Sequence, residues 1–228
     1  MRQILLRQSY NYVAVPVHLG QGNKKIIFVR ASSAMYESLI KYFCRYASIP
    51  LTENEIASIE SVFTPKRFRR RQYLLQEGDV CKYNAFIVRG AMRQYTVDDK
   101  GEEHIIRLSI ENWWAADRES LMRQTPSIYF IDAWEDTEAL LVTKNDLNGL
   151  MNNIPALSEW AKNLEVNYAI ASQRRLSAAI SLSAEERYHD LEKTYPEFLL
   201  RFPQHIIASY LGINRDTLSR IRGRLQKK

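Results

Sequence analysis

A chain of 228 residues is long enough for one large or two modest domains. It is 46% hydrophobic and 25% charged, and no apolar run approaches the about 18 residues of a membrane span. Globular and cytoplasmic are therefore the expectations, with neither a transmembrane helix nor a signal-peptide core. The net charge of +6 is confined to one end, because Leu199 to Lys228 holds seven bases and a single acid, Asp216. A balanced body with a basic end predicts a polyanion partner for that end.

Residues 1–34 show no clear period and read as an N-terminal extension. Two alternatives stay open: a start at Met35, or a strand over Lys25–Arg30 built on Ile26, Ile27, Phe28 and Val29. Met35 opens a helical pattern in which Leu39, Ile40, Phe43 and Ala47 share one stripe. Thr52 followed by Glu55 predicts a capping box, on a helix ending near Phe63, before Pro65. From Lys66 to Val142 short strands alternate with turns. The turns are Glu77-Gly78-Asp79, Arg89-Gly90 and Asp98-Asp99-Lys100-Gly101. The strands are Tyr83–Val88, Met92–Val97, His104–Ser109, Ile128–Trp134 and Thr137–Val142. This spacing predicts an antiparallel barrel or sandwich, and residues 35–150 are assigned to it.

Helical periodicity returns near Asn145. Pro155 fits the first turn of a long helix over residues 156–178. Leu157, Leu164, Ala171 and Ala178 recur at sevens, with Ala161 and Tyr168 between them and Trp160 alongside. Such a repeat predicts a partner helix, so residues 151–180 are assigned to dimerisation through Leu157, Leu164, Tyr168 and Ala171. The alternative is a helix packed on its own barrel. Ser183-Ala184-Glu185-Glu186 then starts another helix, which breaks near Pro196.

Within residues 181–228, Pro203 to Arg222 has the pattern of a helix-turn-helix. Ala208 is small enough to let two helices approach, and Gly212 can take the positive φ of a sharp turn. Ile207, Leu211, Ile213, Leu218 and Ile221 supply the apolar contacts. Burying that face turns Arg215, Asp216, Ser219 and Arg220 outward on the second helix, as major-groove reading requires. Arg215 and Arg220 are the candidates for base edges, and Asp216 for a cytosine amino group or for orienting Arg220. Thr217 and Ser219 are candidates for phosphate, Arg224 for the DNA backbone, His205 for a nearby phosphate, and Asn214 for the helix cap.

An α+β order of jelly-roll barrel, long helix and helix-turn-helix resembles the Crp/Fnr family of bacterial transcription regulators over residues 36–228. Glu77-Gly78-Asp79, Phe86-Ile87-Val88-Arg89-Gly90 and Asn214-Arg215-Asp216-Thr217-Leu218-Ser219-Arg220-Ile221 carry the resemblance. Arg215, Asp216, Thr217 and Arg220 match the family's recognition-helix set. The resemblance implies a cyclic-nucleotide-binding-like barrel, a homodimer joined by the long helix, double-stranded DNA as partner, and RNA polymerase as a further one. The stretch after the second helix is too short for the β-hairpin wing often found in the family.

The nucleotide cassette departs from the family. Its counterpart is Ala115-Ala116-Asp117-Arg118-Glu119-Ser120, then Thr125-Pro126-Ser127. Asp117 stands for the family's Glu and Ser127 for its Ser, but Pro126 replaces the Arg that pairs with a cyclic phosphate. Losing that bidentate pair argues against cyclic AMP. Arg118 or Arg123 could substitute only after a loop rearrangement, and Trp114 could stack on a planar ligand. The effector-pocket candidates are thus Trp114, Asp117, Arg118, Arg123 and Ser127. No cofactor is identified: Cys44 and Cys81 match no metal spacing and fall short of an iron–sulfur ligand set. No nucleophile–base set or phosphate loop suggests an enzyme. The alternative function is a ligand-binding module that regulates a protein partner, with a vestigial DNA-binding domain.

Overall fold

The computed structural model describes residues 11–19, 23–31 and 33–225; Lys227 and Lys228 lie outside them. In chain order, β1 (Asn11–Leu19) and β2 (Asn23–Ala31) form an antiparallel hairpin that includes the Lys25–Arg30 run. Helices α1 (Ala34–Tyr46) and α2 (Glu53–Val62) follow, and the Thr52–Glu55 capping box is present. Next come β3 (Thr64–Phe68), β4 (Tyr73–Leu75), β5 (Tyr83–Arg89), β6 (Met92–Val97), β7 (Glu103–Ser109) and β8 (Trp114–Ala115). Then come α3 (Arg118–Arg123), β9 (Phe130–Ala133), β10 (Thr137–Thr143), α4 (Lys144–Asn153) and α5 (Pro155–Ser181). The C-terminal helices are α6 (Ala184–Thr194), α7 (Pro196–Arg201), α8 (Gln204–Leu211) and α9 (Arg215–Leu225).

The central strands form two four-stranded antiparallel sheets, β3-β10-β5-β8 and β4-β9-β6-β7. They face each other as a jelly roll and do not merge into one closed barrel. Side chains alternate between faces along each strand. In the first sheet Ala85, Ile87, Ala139 and Leu141 point into the space between the sheets. Phe86, Leu140 and Val142 point the other way, where α1, α2, α4 and the start of α5 cover them. Burial on both faces explains why Leu140-Leu141-Val142 is a continuous apolar run. In the second sheet Met92, Ile131 and Ala133 face inward, whereas Tyr95, Ile105 and Phe130 face outward under α6–α8.

Gly90 makes the tight β5–β6 turn at φ +103°, and a Cβ there would lie 2.6 Å from the Thr137 Cα. Only glycine fits. Its N–H donates to the Glu111 carboxylate at 2.7 Å.

Helix α5 enters the apolar core at one end only. Trp160 is 2% exposed and meets Phe43 edge-on at 4.8 Å and Trp114 at 5.4 Å between ring centres. Leu157 is wholly buried in the same cluster, Leu164 packs against it, and Tyr168 lies under Arg107 and Arg118. These three positions of the expected dimer stripe therefore face their own barrel, because the first sheet needs that face of α5 as cover. Ala171 is exposed. A different stripe is free: Val166, Ile170, Gln173, Ser177 and Ile180 recur at alternating intervals of four and three. Within it Ile180 is 78% exposed.

Trp114 belongs to the aromatic cluster of Tyr42, Phe43, Phe63, Phe86 and Trp160. It points away from the space between the sheets. Its neighbour Trp113 faces the opposite way, against Tyr195 and Phe198.

Truncating Trp160 to Ala should cost about 3–5 kcal/mol, the usual range for a buried aromatic. Urea unfolding measures it; a loss below about 1 kcal/mol would mean that the cluster does not anchor α5.

Candidate nucleic-acid interface

Helices α8 and α9 meet at a turn that the sequence dictates closely. Gly212 adopts φ 65° and caps α8, with its N–H on the Ser209 carbonyl at 3.0 Å. The Ile213 N–H returns to Ala208 at 3.0 Å. The Asn214 side chain accepts from the Thr217 N–H at 2.7 Å, capping α9 as expected of Asn at that position. Ile207, Ala208, Leu211, Leu218 and Ile221 are all buried between the helices.

That burial leaves Arg215, Asp216, Ser219, Arg220 and Arg224 exposed, with Thr217 half-buried beside them. Arg220 lies back along its own helix, Nε on the Asp216 carbonyl and Nη2 on the Thr217 hydroxyl, each at 3.3 Å. The Asp216 backbone, not its carboxylate, therefore holds Arg220, and the carboxylate faces solvent. Arg224 reaches Glu185 of α6 at 4.0 Å. The exposed face combines the guanidinium forks of Arg215 and Arg220, a carboxylate and hydroxyls, which are the groups that can address base edges and phosphates.

The helix pair is docked on the sensor through α7 and α8. Arg201 pairs with both Glu111 and Glu135, its Nη2 lying 3.2 Å from Glu111 Oε1. Burial pushes the Glu111 carboxyl up, but Arg201 and the Gly90 N–H outweigh it and hold the group below the usual glutamate range. Trp134 donates its indole N–H to the Arg201 carbonyl at 3.2 Å and packs against Phe202. Ser209 fills the open edge of β7, accepting from the Ile105 N–H and donating to the Glu103 carbonyl, each at 2.9 Å. His205 faces Trp134 from the sensor side of α8, away from the exposed face of α9.

The cassette is closed on itself. Asp117 caps α3, accepting from the Glu119 N–H at 3.0 Å, and also accepts from the Ser127 hydroxyl at 2.7 Å. Both are buried. Ser120 accepts from the Cys81 N–H at 2.8 Å and donates to the Thr125 carbonyl at 2.6 Å. Arg118 turns outward to Glu165 of α5, and Arg123 to Glu119 at 3.1 Å. The two proposed substitutes for the phosphate-binding Arg thus point away from the Asp117–Ser127 pair. Cys44 and Cys81 lie in separate apolar clusters, and burial pushes the Cys44 thiol up to about 11.

A sensor jelly roll joined by a long helix to a helix-turn-helix is the architecture of a DNA-binding regulator. Residues 65–153 match the cyclic nucleotide-binding domain family. The chain is 26% identical over 189 residues to an anaerobic regulatory protein of Haemophilus influenzae, covering 78% of this chain and 73% of that protein. It is 25% identical over 189 residues to the regulatory protein HlyX of Actinobacillus pleuropneumoniae, covering 78% of each. Its fold is similar to the solved structure of FixK2 from Bradyrhizobium japonicum. There the TM-score is 0.60 at 18% identity, over 73% of this chain and 85% of that one. In sequence and fold the chain is thus similar to transcriptional regulators of the Crp/Fnr type.

Replacing Arg201 with Ala should loosen the docking by about 1–2 kcal/mol, a charged hydrogen bond discounted for partial exposure. The Ile105 amide, held only by Ser209 on that side, should then exchange about 5–30 times faster. Because Glu111 is depressed in the folded chain, its contribution is complete above the usual glutamate range. It is lost as pH falls through the lowered value. Unchanged exchange in both tests would remove the clamp.

Proposed function

We propose that this chain is a sequence-specific DNA-binding transcriptional regulator that acts as a homodimer in the cytoplasm. The observation that carries the reading is the division of α9. Leu218 and Ile221 are buried, whereas Arg215, Asp216, Ser219 and Arg220 are exposed on the opposite face. Arg215 and Arg220 read base edges, Arg220 after releasing its weak 3.3 Å contacts along the helix. Asp216 accepts from a cytosine amino group. Thr217, Ser219 and Arg224 position the helix on phosphate.

The dimer forms through the free half of α5. Two copies of the Val166, Ile170, Gln173, Ser177 and Ile180 stripe, flanked by Leu176, have the four-three spacing of paired helices. Pairing would remove several exposed apolar side chains from water and place two α9 helices to read two half-sites.

The regulator does not use cyclic AMP. The space between the sheets is filled by side chains such as Phe68, Leu75, Met92 and Ile131. A cyclic phosphate at the cassette would meet the Asp117 carboxylate and no guanidinium.

Random-site selection with the purified protein should return a near-palindromic site. Arg220→Ala should cost about 1–3 kcal/mol on that site and relax the base preference. Equal weakening on selected and random duplexes would show a phosphate contact only. Ile170→Glu should give a monomer by sedimentation equilibrium; a dimer that persists would place the interface elsewhere. No thermal shift is expected with cyclic AMP.

A further inference from the structure

Three arginines gather where the sensor, α5 and the DNA-binding domain meet. Arg107, on β7, lays its guanidinium over the Tyr168 ring at 4.9 Å. Arg118, at the start of α3, lies over the same ring at 4.3 Å. Arg175, further along α5, lies over the Tyr210 ring of α8 at 4.2 Å. It donates to the Tyr210 carbonyl at 3.1 Å and to the Ile106 carbonyl. The only carboxylate paired with any of the three, among the described residues, is Glu165, on Arg118.

Arg107 is the odd member. It is half-buried, yet makes no side-chain hydrogen bond or ion pair among the described residues. Its five N–H donors meet no acceptor among the described residues, and its nitrogens reach solvent beside the Tyr168 ring. Burial makes its charge costly; Tyr168 and Tyr210 offset the repulsion from Arg118 and Arg175 but not the cost of burial. A buried cation is normally paired. Arg93 on the second sheet shows the contrast: it grips Asp132 at 2.8 Å and 3.0 Å and also holds Glu103.

We propose that Arg107, Arg118 and Arg175 form a binding site for a small phosphate-bearing anion whose occupancy is passed to the DNA-binding domain through Arg175 and Tyr210. Three guanidiniums against Glu165 leave two positive charges, which a phosphate near a dianion at neutral pH would neutralise. Its several oxygens suit more than one guanidinium fork, as a single carboxylate does not. The site does not involve the Asp117–Ser127 pair. Arg175 bonds carbonyls of both β7 and α8, so drawing it toward an anion changes what holds α8 against the sensor. The regulatory half of the proposal rests on the DNA-binding reading above; the binding half does not.

The test uses the full chain without DNA. Isothermal titration with pyrophosphate and inorganic phosphate, at ionic strength matched with sodium chloride, should show one saturable site per chain. Arg107→Gln should weaken it by at least about tenfold, and Arg118→Gln by less. Arg123→Gln, whose partner is Glu119 at the surface, should leave it unchanged. Circular dichroism checks folding, and the exposed Arg118→Gln carries the test if Arg107→Gln does not fold. Absent binding, or equal binding by wild type and Arg107→Gln, overturns the proposal. So does a result in which Arg107→Gln weakens every duplex while pyrophosphate binds nowhere, since the cluster would then be a DNA-backbone contact. In a second arm, pyrophosphate should change the affinity for the selected duplex by about threefold or more in wild type and not in Arg107→Gln. Pyrophosphate bound with no DNA affinity at all would sink the DNA-binding reading and leave the anion site standing. DNA affinity without pyrophosphate binding would do the reverse.

Discussion

Each sheet of the jelly roll is apolar on its outer as well as its inner face, and an uncovered apolar face of that size is costly in water. Cover for one comes from α1, α2, α4 and the first half of α5. Cover for the other comes from α6 to α8. The rest of the architecture follows from this requirement. One face of α5 is committed to its own barrel as far as Tyr168, so its opposite face from Val166 onward and its later turns are what stays exposed. The DNA-binding domain is part of the fold of the sensor and not a separate bead on a linker. Its position is therefore open to control by whatever alters the second sheet.

Charge distributes unevenly over that junction. Arg201 is surrounded by two carboxylates and holds α7 to the sensor. Arg93 holds Asp132, whose carboxyl burial pushes up while the guanidinium pulls it down; burial prevails. Arg107 has neither kind of partner. Arg201 spans the junction, Arg93 closes charges within the second sheet, and Arg107 is left without a carboxylate partner among the described residues. The contacts are individually modest.

The polar groups of the cassette are engaged within it. Asp117, Ser120 and Ser127 remain buried and hydrogen-bonded, but to each other and to nearby backbone. Pro126 removes the guanidinium that would have opened the pair toward a phosphate. Both possible substitutes are engaged elsewhere, Arg118 by Glu165 and Arg123 by Glu119.

Local chemistry made part of this protein legible in its residues. Capping boxes at Thr52 and Ser183, the Gly212 turn, the Asn214 cap and the buried face of α9 depend on neighbours a few positions away. Strand positions such as Met92–Val97 followed from the same short-range patterns. The short strands β3, β4 and β8 carry too few residues to show a period. Long-range packing decided the rest. The heptad-like Leu157, Leu164 and Tyr168 stripe is genuine, but periodicity states only that one face is apolar, not which body covers it. Trp113 and Trp114 are adjacent in sequence and part to opposite sides of one sheet. The Arg107 cluster draws on β7, α3 and α5, more than fifty positions apart at its extremes, and no spacing rule links such residues before the chain has folded.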